Sequence, residues 1–557
     1  MDKSYFFDRN LLALSQKNPE LCSRLSSAET TLNHYKFLES RSGEVIPARL
    51  DSGGAAHPLH SIMDPVKEAR RLIGEAGNEG FLVLLGLGGG YYAEAALERN
   101  STAIVVVIEY DINGLAELFC HRDFSRLFGD PRFHLLADES EESLEQFLLN
   151  KYQPVLYGGI KVIPLRSRTS LDQAAFAGAG KAIGTAIDKI SADFSVQSHF
   201  GLRWFSNIMR NLKSAGGYQE VLPRINRAAI SAAGPSLTLQ MPLLKKKRKE
   251  LFLIAADTSL PCLLGAGIKP DAVISIDCQH ISYYHFMDGL PEDIFLFLDL
   301  ASPPLLASRS RGDRSAKLEF FSGGHPLTRY ISRLYRPLAE LDTSGGNVTY
   351  AALSLAEQLG AGEIELYGAD FSYPEGISYA RGTYIYSFFG KRQNRFRTLE
   401  AQASSFLYRT PLEKKASGGS WYYETKALKF YREKLEEKSR SAQAPIIPME
   451  GMGAPINITQ KKREPRLLKF FSSGKTFMGA EEFLSVYRDE IQKLPVPANN
   501  TADYLLSLKP SSQAVFTTIL PAAAALKQRN PGGNFAELLE ITKTYCLKEI
   551  DTVMSLY

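Results

Sequence analysis

The stretch AAISAAGPSL, residues 228–237, joins a run of small apolar residues to a Gly-Pro-Ser turn. The apolar run predicts a buried strand, and Ser236, which precedes LTLQMPLLKKKRKEL, predicts the start of a helix. A strand, a tight turn and a helix N-terminus together favour a bound phosphate, because free backbone N–H groups and the helix dipole both attract an anion. The stretch therefore predicts an α/β fold with an anion-binding turn. The alternative is an ordinary strand-to-helix turn with a serine cap.

Five more short apolar runs follow this stretch, each separated from the next by helix-like or loop sequence. They are LFLIAAD (251–257), DAVISID (271–277), DIFLFLDL (293–300), KLEFFSG (317–323) and EIELYGADF (363–371). Continuous rather than alternating apolarity predicts strands covered on both faces, and hence a mostly parallel sheet between helices. In such a sheet, ligands bind beyond the carboxyl ends of the strands.

Glycines, hydroxyls and carboxylates stand at these predicted carboxyl ends and at a second helix start, where Gly345 and Gly346 precede Asn347. Two helix starts directed at one crevice suit a nucleotide or a polyphosphate. For each aspartate taken singly, capping of the next helix is the alternative. The predicted nucleotide-binding residues are Gly234, Pro235, Ser236, Asp257, Thr258, Asp277, Gly345, Gly346, Asn347 and Gly368.

Composition limits the classes of protein that the chain can belong to. It has 557 residues, 44% of them hydrophobic, which is enough for several cores. The 65 Lys and Arg against 61 Asp and Glu are too balanced to indicate a nucleic-acid or membrane-surface protein. The five cysteines lie far apart without a C-x-x-C pair, which favours a reducing compartment and no structural metal. Without a signal-peptide pattern or a membrane-length apolar run, we expect a cytoplasmic protein with no membrane span.

A glycine turn in the N-terminal part resembles a cofactor-binding pattern. GLGGG (86–90) follows the predicted strand FLVLL, and Glu109 stands about twenty residues later, after a second predicted strand. This βαβ order predicts a Rossmann-like domain. Gly86, Gly88 and Gly90 with Glu109 form a possible second cofactor site. The alternative is that the glycines only let helix and strand pack closely.

Four parts are expected along the chain. They are an N-terminal Rossmann-like region (1–150), a helical connector (151–215), a central α/β domain (216–460) and a C-terminal helical domain (461–557). Within the central domain, residues 376–410 mix aromatic and basic residues without apolar periodicity, which predicts a functional loop or lid. Its cations, among them Arg381, Arg392 and Arg395, suit an acidic sugar or an acidic protein surface. Binding of single-stranded nucleic acid is an alternative that we do not expect.

Three motifs carry a family resemblance. GPSL (234–237), AADTSLPCLLGAGIKPDAVISIDCQ (255–279) and GGNVTYAALSLAEQLGAGEIELYGADFSY (345–373) resemble the central domain of the motility accessory factor (Maf) family of bacterial flagellin glycosyltransferases. That domain is also described as similar to 6-hydroxymethylpterin diphosphokinase. The resemblance covers roughly residues 215–460. It implies a sialyltransferase-like central Rossmann domain.

A second resemblance concerns GADFSYPEGISYA (368–380). Bacterial lipooligosaccharide sialyltransferases have a similar G-x-D-F motif followed by two tyrosines six residues apart. The resemblance implies that Tyr373 and Tyr379 bind the departing nucleotide phosphate, with Asp370 beside them as a third catalytic residue. Those enzymes use a later histidine as general base, whereas this chain has no histidine after His325. The base is therefore open among His280, His285, His325, Asp370 and Glu375.

The resemblance implies transfer of a nonulosonic, sialic-acid-like sugar from a CMP donor to serine or threonine of flagellin, in support of filament assembly and motility. No metal or other cofactor is expected beyond the nucleotide sugar. One alternative is a pterin-type pyrophosphokinase, in which Asp257, Asp277 and Asp370 hold magnesium and ATP. A second alternative is a non-catalytic flagellin-binding assembly factor.

Overall fold

The computed structural model describes residues 3–28, 33–51, 53–216, 222–312, 316–417, 420–459, 476–497, 504–505, 507–532 and 534–557. The chain forms two compact units. The first comprises Met1–His199, Pro495–Gln513 and Ala523–Thr542, and the second comprises Phe200–Leu494, Ala514–Ala522 and Lys543–Tyr557. The described helices of the predicted C-terminal domain are thus shared between the two units.

The first unit contains two small sheets and their helices. In chain order these elements are α1 (Lys3–Ser15), α2 (Pro19–Ser26), β1 (Tyr35–Glu39), β2 (Val45–Leu50), β3 (Ala56–Pro58), α3 (Pro65–Gly74), β4 (Phe81–Leu85), α4 (Tyr91–Leu97), β5 (Ile104–Glu109), α5 (Ile112–His121), α6 (Ser125–Gly129), β6 (Phe133–Ala137), α7 (Glu141–Lys151), α8 (Pro154–Tyr157), β7 (Ile160–Pro164), α9 (Arg166–Thr169) and α10 (Gln173–Ala215). Helix α10 contributes residues to both units.

The parallel sheet of the first unit has the order β6-β5-β4-β7. Successive residues of β4 and β5 enter two different cores, Leu82 and Val105 on one face, Val83 and Val106 on the other. Both faces are therefore covered, which is why these strands are apolar throughout. The predicted βαβ unit is confirmed. Strand β7, however, lies inside the segment 151–215 that was predicted as helical. Its sequence IKVIP does not have the continuous apolarity of a central strand, because an edge strand tolerates a lysine and a proline.

The second unit holds the larger sheet. Its elements are β8 (Arg227–Ser231), α11 (Ser236–Lys247), β9 (Phe252–Ala256), α12 (Leu260–Gly265), β10 (Ala272–Ser275), β11 (Phe295–Asp299), α13 (Pro304–Gly312), β12 (Lys317–Ser322), α14 (Pro326–Leu334), β13 (Ala339–Glu340), α15 (Val348–Gln358), β14 (Glu363–Tyr367), β15 (Tyr373–Pro374), α16 (Tyr384–Gly390), α17 (Leu399–Leu407), β16 (Glu413–Ser417), β17 (Ser420–Glu424), α18 (Lys426–Ser441), β18 (Ile446–Pro448) and α19 (Ala480–Lys493). Two further helices follow in the chain, α20 (Pro510–Arg529) and α21 (Phe535–Met554).

The eight strands of the larger sheet are all parallel, in the order β13-β12-β11-β10-β9-β8-β14-β18. Strand β8 pairs with β9 on one side, and β10 to β13 follow in that direction. On its other side β8 pairs with β14, so the chain crosses back over the sheet. This reversal of strand order is the point where open α/β sheets bind ligands, at the carboxyl ends of the strands. Each of the six predicted central strands is present, and the predicted α/β class with a mostly parallel sheet is confirmed.

A core of aliphatic side chains covers one face of this sheet. Ile230, Ile254 and Ile274 from successive strands pack with Ala352 of α15 and Leu435 of α18. A separate antiparallel sheet, β15-β17-β16, brings Tyr373 opposite Tyr423. Among the described residues, no helix is both long and apolar enough to span a bilayer.

Candidate active site

The Gly-Pro-Ser turn after β8 is bound by the chain itself. The backbone N–H of Gly234 donates to the carbonyl of Gly368 at 2.9 Å. The backbone N–H of Ser236, at the start of α11, donates to Oδ2 of Asp370 at 2.8 Å. A carboxylate at a helix N-terminus complements the positive end of the helix dipole. Asp370 therefore takes the place predicted for a phosphate, and the Ser236 N–H is not available to a nucleotide.

The side chain of Ser236 is also engaged. It is buried, and its Oγ accepts the backbone N–H of Met452 at 2.7 Å. One helical turn later, Gln240 accepts the Gly368 N–H at 2.7 Å and donates to the carbonyl of Glu450 at 2.8 Å. The first turn of α11, the turn after β14 and the loop after β18 are thus tied together. We conclude that GPSL and GADF hold three loops in register.

Asp370 caps α11 in this structure, and its catalytic role stays a prediction. Its side chain is buried, and burial raises the pKa of the carboxyl group although the Ser236 N–H opposes the shift. Its own carbonyl accepts hydrogen bonds from Ser372 Oγ and from the Ala454 N–H, both at 3.0 Å. Gly453 packs so closely that a Cβ there would lie 2.5 Å from the Asp370 Cα.

Two carboxylates stand at the ends of β9 and β10. Asp257 is buried and accepts hydrogen bonds from Thr258 N at 2.6 Å and from Ser275 Oγ at 2.6 Å. Asp277 is half-buried and accepts the Gln279 N–H at 2.8 Å. Burial raises the pKa of Asp277, and the negative charge of Asp257 raises it further. The two carboxylates therefore face a common region at the carboxyl edge of the sheet.

Three tyrosines approach the same region, and we call them the phenol cluster: Tyr373, Tyr379 and Tyr384. Burial is the main cause that raises the pKa of each hydroxyl. The pKa of Tyr379 is raised further by Tyr384, Tyr373 and Asp257. The Ala380 N–H, next to Tyr379, donates to the carbonyl of Ala233 after β8 at 2.9 Å, so Tyr379 lies at the carboxyl edge of the sheet, within electrostatic reach of Tyr373 and Asp257. At neutral pH all three remain neutral phenols, which can donate a hydrogen bond to an anion.

The second predicted helix start, at Asn347, supplies its own cap. Asn347 Oδ1 accepts the Tyr350 N–H at 3.0 Å, as an N-cap side chain does. Gly346 has a positive φ of 72°, and a Cβ there would lie 3.0 Å from the ring of Tyr431. Tyr431 in turn raises the pKa of Tyr373. Asn347 therefore fixes the start of α15, and Gly346 leaves room for the ring of Tyr431 beside this turn.

The histidines considered as bases have different surroundings. His325 is half-buried at the start of α14, where its Nδ1 accepts the Leu327 N–H at 3.1 Å, and burial of its ring lowers its pKa to about 3. His280 is exposed. His285 is buried, its ring centre lies 4.5 Å from that of Tyr384, and a positive charge on its ring would oppose the burial that raises the pKa of Asp277. Among the described residues, the Nδ1 of His285 has no hydrogen-bond partner. Only His285 of these three therefore adjoins the phenol cluster.

The predicted lid forms two helices, α16 and α17, joined by an exposed tip at 391–398. Arg392 lies over Phe388 with its guanidinium carbon 3.7 Å from the ring centre, and Arg395 lies over the exposed ring of Phe396 at 4.6 Å. The side chain of Arg381 is exposed, and its carbonyl accepts from Cys262 Sγ. The remaining base candidate in this part, Glu375, is exposed and has a positive φ of 49°.

Sequence reasoning missed Arg409, which follows α17. Its positive charge opposes the burial that raises the pKa of Tyr373, Tyr379 and Tyr384. One cation is thus within electrostatic reach of all three members of the phenol cluster. The spacing of Phe406 and Arg409, three residues apart at a helix end, was the available signal, since such residues lie on one face of the chain.

The glycine turn of the first unit is filled by protein side chains. Glu109 accepts the Leu87 N–H at 2.9 Å and pairs with Arg168 at 2.6 Å, and both side chains are buried. A Cβ on Gly86 would lie 2.9 Å from Arg168, and one on Gly88 would lie 2.5 Å from the ring of His60.

Gly90 completes this turn as the residue before α4, where a Cβ would lie 2.9 Å from the ring of Phe124. The turn therefore has the packing role that sequence left as the alternative. The predicted second cofactor site is occupied by the chain's own groups. Within the described ranges, no group of three or more His, Cys, Asp or Glu side chains is placed to hold a metal ion.

Comparison with known proteins gives three kinds of likeness. Residues 203–376 match the family model described as 6-hydroxymethylpterin diphosphokinase MptE-like. An uncharacterized protein of Treponema pallidum (strain Nichols) is 33% identical over 164 residues, which are 29% of this chain and 78% of that protein. A second from the same organism is 35% identical over 159 residues, 28% of this chain and 56% of that protein.

The likeness in structure extends over nearly the whole chain. A Maf glycosyltransferase from Magnetospirillum magneticum AMB-1 superposes with a TM-score of 0.61 at 16% identity, covering 99% of this chain and 96% of that chain. The fold is thus that of a Maf-type α/β protein containing an MptE-like domain, as the motifs predicted. The chain belongs to the same family as the first of the Treponema pallidum proteins.

Proposed function

We propose that this chain is a glycosyltransferase that moves a nonulosonic acid from a CMP donor to a serine or threonine hydroxyl of flagellin. The observation that carries the proposal is the phenol cluster, whose Tyr379 precedes Ala380, and the Ala380 N–H donates to the carbonyl of Ala233 after β8 at 2.9 Å, at the carboxyl edge of the large sheet. Its support is the fold, which matches a protein described as a Maf glycosyltransferase along 99% of the chain. In this proposal the protein works in the cytoplasm and supports filament assembly.

The phenols suit the departure of CMP. As the bond between the sugar carbon and the phosphate oxygen breaks, its electron pair moves onto the phosphate and the sugar ring becomes oxocarbenium-like. Neutral donors placed at that oxygen stabilise the transition state more than the ground state, because negative charge grows there during the step. Burial keeps Tyr373 and Tyr379 protonated and able to donate. The nucleotide sugar is the only small molecule that the step requires.

The acceptor hydroxyl must lose a proton as its oxygen attacks the sugar carbon. His285 is the best-placed acceptor for that proton, since its Nδ1 is free among the described residues and its ring adjoins Tyr384. Asp277 lies within electrostatic reach of His285 and stabilises the imidazolium that forms. The balanced products are CMP, the O-glycosylated residue and one proton.

A pyrophosphokinase is the second candidate, favoured by the family-model match over residues 203–376. In that function Asp257, Asp277 and Asp370 hold magnesium and ATP, with one oxygen of Asp370 engaged by the Ser236 N–H.

Thermal shift distinguishes these candidates. The purified protein is heated with CMP or CDP without metal, and separately with ATP and Mg²⁺. Ligands that bind only the folded state raise the melting temperature. A metal-independent shift with CMP or CDP supports the transferase. A shift only with ATP and Mg²⁺ supports the kinase, and no shift with either favours a non-catalytic assembly factor.

A further inference from the structure

Arg409 is placed against the phenol cluster by the end of α17. Its guanidinium carbon lies 4.0 Å from the centre of the Phe406 ring, and that ring centre lies 6.0 Å from the ring centre of Tyr379. The guanidinium thus rests on an aromatic ring that itself packs on the cluster. Stacking of this kind orients the group and leaves the edge of the guanidinium free to donate hydrogen bonds.

The charge of Arg409 affects tyrosines from three separate segments. Tyr373 lies in β15, Tyr379 in the following loop and Tyr384 at the start of α16. The pKa of each hydroxyl is lowered by Arg409 against the larger effect of burial. Arg409 is thus within electrostatic reach of all three phenols, and through Phe406 it packs next to Tyr379.

Arg409 shares its stacking on an aromatic ring with Arg392 and Arg395, and it differs from Arg432 and Lys415 in having no carboxylate partner among the described residues. Arg432 and Lys415 both pair with Glu424. Arg392 and Arg395 lie over the rings of the tip. Arg409 is exposed, and no carboxylate of the described residues lies within ion-pair distance of it. Its charge is therefore available to an anion from solution.

We propose that Arg409, stacked on Phe406 beside Tyr379, binds the phosphate of the nucleotide together with the phenol cluster. This inference rests on the proposed function for the identity of the nucleotide, but the anion site itself is independent of it. A guanidinium provides a charge-assisted, bidentate contact that a phosphate accepts well. Three phenols supply additional neutral donors to the same oxygens.

The test measures binding by calorimetry with the full chain carrying Arg409→Ala or Arg409→Lys. The matched control is Lys414→Ala, which removes an ammonium lying 4.4 Å from the Trp421 ring centre. The ligands are CMP, cytidine and inorganic pyrophosphate. We expect Arg409→Ala to weaken the binding of CMP and of pyrophosphate about 10- to 100-fold, the range for one charge-assisted contact. The affinity for cytidine should not change. Arg409→Lys should recover part of the loss.

Salt dependence separates an electrostatic role from a merely structural one. The affinity of the wild-type protein for CMP should fall as salt rises, and Arg409→Ala should flatten that dependence. Unchanged CMP and pyrophosphate affinity in Arg409→Ala would overturn the inference, as would an equal loss in Lys414→Ala. A wild-type protein that binds pyrophosphate but shows no preference for CMP would refute the CMP donor and leave the anion site standing.

Discussion

At the scale of single residues, Tyr373 and Tyr379 carry the proposed chemistry. Replacing both with Phe removes two hydroxyl donors and leaves the rings in place. We expect turnover to fall by about 100-fold or more, in line with the loss of transition-state donors, while CMP affinity falls far less. Single-turnover transfer and CMP titration measure the two quantities. Tyr408→Phe is the control, because that exposed hydroxyl donates only to Tyr423. Equal losses in turnover and CMP affinity would argue against a leaving-group role.

The buried carboxyl group of Asp299 should make the stability of the protein depend on pH. Burial raises the pKa of its carboxyl from 3.8 to about 6. Between these values the folded protein holds a proton that the unfolded chain has released, so this contribution to stability is full below about pH 4 and is lost as pH rises through 6. The difference in unfolding free energy between wild type and Asp299→Asn should therefore change by up to about 3 kcal/mol over that interval. Urea unfolding at pH 4 to 7 measures it, and a constant difference would contradict the assignment.

At the scale of secondary elements, the turn after β14 depends on a glycine. Gly368 has a positive φ of 64°, and a Cβ there would lie 2.6 Å from the carbonyl oxygen of Ala232. Gly368→Ala should lower the unfolding free energy by about 1–3 kcal/mol, because it adds both backbone strain and a clash. Gly265→Ala at the end of α12, where nothing lies within 4 Å, is the matched control. Similar unfolding midpoints for both variants would show that the turn adapts.

Elements were predicted better than the contacts between them. Continuous apolar runs identify β8, β9 and β10, because a strand that is covered on both faces is apolar at every position and can be recognised from its own sequence. Asp370 could not be assigned as the cap of α11 in this way, since it lies 134 residues from Ser236 along the chain. The shared role of Tyr373 and Tyr379 was predicted from a resemblance. The position of Arg409 near them could not be predicted, because it depends on where the fold places the end of α17.

At the scale of the whole molecule, the described residues form two parallel sheets, and charged groups gather at the carboxyl edge of each. In the first unit, Arg168 and Glu109 fill the turn that resembles a cofactor site. Arg168→Gln should leave Glu109 buried without its cation and destabilise the protein by about 3–5 kcal/mol. The exposed neighbour Arg166→Gln should change stability little. Thermal unfolding of both variants measures the difference. Equal stability of the two would mean that solvent or a ligand reaches Glu109.

The proposed transfer itself is tested most directly by the intact mass of flagellin produced with and without this protein, in a cell that makes CMP-activated nonulosonic acid. Our account predicts a mass increase equal to one or more acidic nine-carbon sugars on the flagellin made with the wild-type protein. The increase should be lost with the Tyr373→Phe, Tyr379→Phe double variant and retained with Tyr408→Phe. Flagellin of identical mass with and without the wild-type protein would contradict the account.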